Sequence, residues 1–370
     1  MFIVRSILPK LVVAVFSIAV FSCSSPDPYT SLTAEEATKF AQELEQHLAK
    51  DDASFLSDNI DEEAFRQCFA DALYMEANHP DIRNLDIFRD AKKLGSTIVQ
   101  SKGKSGHYRL LRMVQQDGKQ VARFRLYTPE GGLNYHDMIL MKRDGKVKVA
   151  DVFIFMTGET LAETFAQETK FLHSGGGKIN QHKAYYMELK EDMQQKQREG
   201  DNEGVLAVFD ALPGAVQAWK TTLLPAIQAS RLLGDTARET KLLQQYQSYH
   251  HTPTDRCMLQ LIYHSFRYNY DSSMVKVNQL DSLVGKDPSL DFHRAIMALN
   301  NDDRKTCIAL LEKLYPTKAV FGDVLLYLAG LKWVDDDVDE AKKIFRAYRS
   351  MPDYDAAKEA DMMRNVKAGS

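Results

Sequence analysis

GDVLLYLAGLKWVDDDVDEAKKIFRAYRSMP, residues 322–352, decides how the C-terminal half of the chain folds. Apolar residues recur at three- and four-residue spacing on both sides of the acidic turn Asp335-Asp336-Asp337. That spacing predicts two amphipathic helices, joined tightly and stopped by Pro352. Turns at Gly200-Asp201, Gly234-Asp235, Tyr270-Asp271 and Asn301-Asp302 stand between similar pairs of runs. From Asp201 through Asp235, Asp271 and Asp302 to Asp336, the successive differences in position are 34, 36, 31 and 34. Pro213, Pro253, Pro288, Pro316 and Pro352 follow those aspartates one by one, where each second helix should end. One hairpin cannot bury its apolar side alone, so residues 180–352 are expected to stack as a series, with a helix or tail over 353–370.

In the quoted unit Leu325, Leu328, Ala329, Ala341 and Phe345 follow the large, large, small, small and aromatic consensus of tetratricopeptide repeats, which this region resembles. Ala295, Cys307 and Leu311 repeat part of it one unit earlier, while His264 stands where a small residue belongs further upstream. The resemblance implies an α-solenoid that offers an extended surface to another chain. Tyr246, Tyr249, Tyr263, Tyr268 and Tyr270 are the candidate binding residues of that surface, with packing between repeats as the alternative. A peptide or a glycan would suit such rigid aromatics.

His173-Ser174-Gly175-Gly176-Gly177 interrupts this pattern and sets a linker at 173–179, because three successive glycines lose too much entropy inside an element. Gly177-Lys178 is followed by Ile179, not Ser or Thr, so the stretch is no phosphate loop.

Before the linker the period falls to two. Gln116-Asp117-Gly118-Lys119 and Arg143-Asp144-Gly145-Lys146 are hairpin turns, with Pro129-Glu130-Gly131-Gly132 between them. Four antiparallel strands follow, at 107–115, 120–127, 133–142 and 147–156. Helices are expected at 33–50, opened by a Thr33/Glu36 capping box, at 62–75 and at 85–94. Two-residue turns place Leu111, Met113, Phe124, Leu126, Met138, Leu140, Val149, Phe153 and Phe155 on a helix-covered face. Arg112, Arg123, Arg125, Tyr135, Asp137 and Val152 take the other face, with Arg123 and Asp137 read as a solvated cross-strand ion pair and an anion or carboxylate site beside Arg112 and Arg125 as the alternative.

Helices packed on a curved four-stranded meander over 33–172 resemble the nuclear-transport-factor-two-like α+β cone, and cystatin-like sheets share the same order. The first resemblance implies a pocket between sheet and helices. His136 and Asp151, with Phe124, Met138 and Phe153, are its candidate lining, as a small-ligand or general-base site. A buried pair satisfying each other is the alternative.

Residues 1–22 read as a signal peptide: Arg5 and Lys10, an apolar run from Leu11 to Phe21, then Ser22 before Cys23. Val20, Ser22 and Cys23 resemble the lipobox of bacterial lipoproteins, with bulky Phe21 as a departure, and this implies lipid on Cys23 and a tether over 23–32. A net charge of −4 gives no field for nucleic acid. Besides Cys23, the cysteines at 68, 257 and 307 form neither a CxxC pair nor a disulfide framework. The acidic run 335–340 lacks the mid-loop glycine and closing glutamate of a calcium loop, and His250-His251 has no further ligands at metal spacing. No cofactor, metal or catalytic motif is read. The chain is expected to be a lipoprotein anchored in the cell envelope, with Ser24 favouring the outer membrane, that recruits a protein or peptide partner. The alternative is a small-ligand or catalytic cone positioned by the repeats.

Overall fold

A computed structural model describes residues 29–79, 82, 87–104, 106–128, 132–174, 183–249, 258, 270–316 and 321–369. Cys23, Cys257, Tyr263, His264, Tyr268, the 250–251 histidines and residues 175–179 of the expected linker lie outside them. Among the described residues no helix is long and apolar enough to cross a membrane, and no His, Cys, Asp and Glu cluster is suited to a metal.

The N-terminal part is a sheet with helices. Strand β1 (Tyr29–Thr30) precedes helices α1 (Ala34–Ala49), α2 (Ser54–Asn59), α3 (Glu62–Leu73), α4 (Ile87–Lys92) and α5 (Leu94–Lys102). Thr33 and Glu36 close the capping box that opens α1. The meander follows as β2 (His107–Gln116), β3 (Lys119–Tyr127), β4 (Leu133–Arg143) and β5 (Lys146–Ile154), then β6 (Glu159–Thr160) and α6 (Leu161–Ser174). Asp117-Gly118 and Asp144-Gly145 all have positive φ, as two-residue hairpin turns require. The sheet has six strands, not four, because β6 extends it beyond β5 and β1 pairs with the end of β4. His173 and Ser174, expected in the linker, still belong to α6.

Two β-bulges overturn part of the expected face assignment. Register shifts between Leu110 and Arg112 in β2, and across Ile139–Leu140 of β4, where Ala150 of β5 is the extra residue. One extra residue exchanges the faces of everything beyond it. Val152 and Ile154 therefore join Phe124, Leu126, Met138, Leu140 and Val149 beneath the N-terminal helices. Leu111, Phe153 and Phe155 move to the opposite face, beside Leu133 and Tyr135.

The C-terminal half is all helical: α7 (Lys183–Glu199), α8 (Asn202–Ala211), α9 (Gly214–Gln217), α10 (Lys220–Leu232), α11 (Thr236–Tyr249), α12 (Tyr270–Val284), α13 (Leu290–Asn300), α14 (Arg304–Leu314), α15 (Gly322–Val334), α16 (Val338–Arg349) and α17 (Ala356–Gly369). Successive helices pack as antiparallel neighbours, with α10 against α11, α13 against α14 and α15 against α16. Ala295, Cys307, Ala329 and Ala341, the expected small positions, are all fully buried. The turns differ in detail from the expectation. Gly200 and Gly234 take positive φ with Asp201 and Asp235 next, but Asp302 and Asp336 hold the positive φ themselves, so the following residues Asp303 and Asp337 are the N-caps. The caps at 201, 235, 303 and 337 are evenly phased: the first and last pairs share one spacing, and the gap between the pairs is twice that spacing. The midpoint of that gap falls at position 269, outside the described residues. The uneven differences came from counting Asp271, which lies in the first turn of α12, and from counting Asp302 and Asp336 instead of the caps that follow them.

The helical half does not stand clear of the sheet. Leu133, Tyr135 and Phe155 form one apolar cluster with Val277, Leu280, Val284, Leu290 and Met297. Tyr127 packs on Phe321, with ring centroids 4.5 Å apart, and donates to Asp323. The sheet is thus the middle of three layers, which is why seven successive residues of β3 are buried instead of alternating.

Candidate functional site

His136 and Asp151 are not brought together. His136 lies on the helix-covered face, opposite Phe124 and Ile154, while Asp151 pairs with Ile139 beyond the bulge. Asn134 accepts through Oδ1 from the backbone N–H of Tyr135 and Met156, so its amide nitrogen donates to His136 Nε2 at 3.2 Å. The neutral ring then carries its proton on Nδ1 and donates to the Tyr108 hydroxyl, 3.2 Å away. Burial pushes this imidazole down to about 4 and keeps it uncharged. Tyr108 stacks on Phe124 at 4.9 Å and lies 5.7 Å from the His136 ring, and Met138 is buried in the same core. Phe153 is on the far face, beside Phe155. Asp151 instead accepts from the N–H groups of Val152 and Ala162, the latter in the first turn of α6. Burial, only partly offset by those bonds, raises its carboxyl to about 6.

The Arg123–Asp137 pair, expected in solvent, is buried where the two halves meet. Arg123 forks onto Asp137 at 2.7 and 2.6 Å and reaches the Leu283 carbonyl of α12. Arg125 bonds to Asp287 at 2.5 Å and to the Ser289 hydroxyl, and Tyr135 donates to the second Asp287 oxygen at 2.9 Å. His107, held down to about 3 by burial and then by Arg125, remains neutral and accepts from that guanidinium. A buried charge is tolerated only where its bonds are satisfied. These groups therefore fix the register between sheet and helices.

A more open feature lies at the same junction, toward the first helices of the array. A cleft of about 360 Å³ is lined by Glu159 of β6, Thr164, Gln167 and Glu168 of α6, Gly214, Ala215 and Ala218–Lys220, and Tyr249 at the end of α11. Its floor is charged and internally matched. Lys220 bonds to Glu159 at 2.8 Å and to the Thr157 carbonyl at 2.5 Å; Thr164 and Gln167 also donate to Glu159. Lys190 meets Glu168 at 2.6 Å and lies over the Trp219 ring, 5.9 Å from its centroid, while Thr221 donates to the other Glu168 oxygen. Apart from these charges the cleft is lined by Ala215, Ala218, the half-exposed Tyr249 and the buried Trp219.

Of the candidate tyrosines, Tyr249 reaches this cleft, Tyr246 is buried with its hydroxyl 3.4 Å from the Thr157 carbonyl, and Tyr270 packs between two core clusters. The described three do not share one surface. Glu159, Glu168, Lys190 and Lys220 escaped the sequence reading because they are scattered over β6, α6, α7 and α10 with no local motif.

No protein-family model matches the chain, and no curated protein does. Among solved structures, a tetratricopeptide repeat protein from Parabacteroides merdae ATCC 43184 is similar at 14% identity with a TM-score of 0.36, over 56% of this chain and 92% of that one. A likeness this slight carries no argument about fold or function.

Proposed function

We propose that the chain is an envelope-anchored recognition protein whose tetratricopeptide-like array and α+β cone work as one body, and that the cleft between them receives a short segment of a partner polypeptide. The observation that carries this is the cleft itself: a preformed concavity, walled by both halves, with aromatic and small apolar groups over a charge network already satisfied. Its volume lies at the lower end of the range for ligand pockets. Apolar side chains of an incoming segment would pack on Ala215, Ala218 and Tyr249 above the buried Trp219, and Gln167 at the rim would meet its backbone. The sheet already packs on α12 and α13, which leaves the cleft end for a partner. The even phasing of the helix caps supports the repeat reading, and the Cys23 motif supports the anchor.

Gly214 supplies the test. A Cβ built there meets nothing within 4 Å and the position is exposed, so Gly214→Trp should fold normally and obstruct the cleft mouth. Affinity capture from detergent-solubilised envelope should recover a stoichiometric partner with the native chain and with the remote control Lys343→Glu, but not with Gly214→Trp. Equal recovery by all three would reject the cleft as the site.

A further inference from the structure

We propose that the sheet end carrying both tight hairpins faces the lipid bilayer and that the cleft is held on the far side of the molecule. This rests on the reading of Cys23 as the lipid-bearing residue. Six Cα-to-Cα steps lead from Cys23 to Tyr29, and a fully extended chain of that length spans at most about 22 Å. Tyr29 and Thr30 are hydrogen-bonded into the sheet against Arg143 and Lys142, at the last turn-proximal residues of β4. The anchor therefore emerges beside the Asp144-Gly145 turn. The Asp117-Gly118 turn lies at the same end, because β2 runs with β4 and β3 with β5. Residues 115–119 and 144–146 are exposed there, and the α1 N-terminus closes on the same end through Lys142 and Glu36, 2.6 Å apart.

The groups that meet the helical array run from mid-strand, at Leu111 and Arg123, to the other end of the strands. Tyr127, Leu133, Tyr135 and Phe155 contact helices α12 to α15, and β6 opens into the cleft. From Lys146 to Ile154, β5 alone spans about 26 Å at ~3.3 Å per residue. A tether no longer than this strand cannot hold the hairpins high and the cleft low at once. Charge does not set the orientation. Lys142 is paired with Glu36, and Arg143 with Asp61 and Glu63, while Asp117, Asp144 and Asp58 offset the remaining lysines, 119, 146 and 148. The orientation should therefore be the same on zwitterionic and anionic bilayers.

The experiment uses full-length lipidated protein in phosphatidylcholine vesicles doped with a phospholipid carrying a photoreactive headgroup, with cross-linked peptides identified by mass spectrometry. Cross-links should concentrate in 115–120 and 142–148 at least fivefold over those from 214–221 or 335–340, and adding phosphatidylglycerol should leave the pattern unchanged. Flotation of the native chain and of Cys23→Ser with the same vesicles separates the two claims. If both float equally, or neither floats, the anchor reading falls and the orientation with it. If flotation depends on Cys23 but cross-links favour the cleft, the 335–340 turn or neither end, only the orientation is overturned.

Discussion

Replacing Asp287 by Ala should cost the protein a large share of its stability, because that carboxylate joins the two halves. Its side chain is fully buried; it accepts from Arg125 at 2.5 Å, from the Tyr135 hydroxyl at 2.9 Å and from the Ser289 N–H at 3.0 Å. The truncation strands the Arg125 guanidinium in the interior with the Ser289 hydroxyl and neutral His107 as its remaining partners. Breaking one side of a buried pair costs about 3–5 kcal/mol. The orphaned Tyr135 hydroxyl adds about 1–3 kcal/mol, partly overlapping with the first cost. A loss of at least about 4 kcal/mol is expected against a total stability on the order of 5–15 kcal/mol. Urea unfolding followed by circular dichroism at pH 7 measures it. With a slope of about 3 kcal/mol/M the midpoint should fall by more than about 1 M. Adding Arg125→Met removes the stranded charge and should recover about 2 kcal/mol or more. A loss below about 1 kcal/mol from Asp287→Ala, or the same cost for Arg125→Met in both backgrounds, would refute a locked interface.

Asp151→Asn should raise stability by up to about 3 kcal/mol at pH 7.5 and change little near pH 4. The folded carboxyl titrates near 6 against an ordinary 3.8, so its stabilising influence is complete below 3.8 and is lost as pH rises through 6. A thermal melt of both proteins across that window checks the sign. The buried imidazoles act oppositely: His136 is depressed to about 4 and His107 to about 3, so their contribution is present above 6.5 and fades as pH falls toward those values. Acid titration of the melting temperature of Asp151→Asn, where the opposing carboxyl is gone, should therefore fall more steeply between pH 6.5 and 4 than that of the native chain. Burial lifts the Cys68 thiol to about 11, so iodoacetamide at pH 8 should modify it far more slowly in the folded protein than in urea; equal rates would contradict the packing of α3. Gly234→Ala should cost about 1 kcal/mol through its positive φ alone, since the added methyl meets no neighbour.

Local chemistry made most elements legible. Asp-Gly pairs set the hairpins closely, the Thr33/Glu36 capping box marked α1, and helical periodicity with aspartate turns located the C-terminal hairpins. What failed depended on residues far apart in the chain. Neither bulge has a local signature: Ala150 and Leu111 resemble ordinary strand residues, yet one extra residue sent Phe153 and Phe155 to the opposite face and separated His136 from Asp151. Strand alternation likewise gave Arg123, Arg125 and Asp137 to solvent, because the segment that covers them, around Leu283 and Asp287, arrives only in the last third of the chain. The cleft was invisible for the same reason, since β6, α6 and α10 each supply one part of a network. Tyr249 alone was singled out in advance, through its place in a dense run of tyrosines.

Hydrogen–deuterium exchange on the full-length protein, with and without its captured partner, tests most directly whether recognition occurs where the two halves meet. The account predicts slowed exchange confined to peptides covering 159–168, 214–221 and 245–249. Protection confined to the outer surface of α14–α16, with those three segments unchanged, would contradict it.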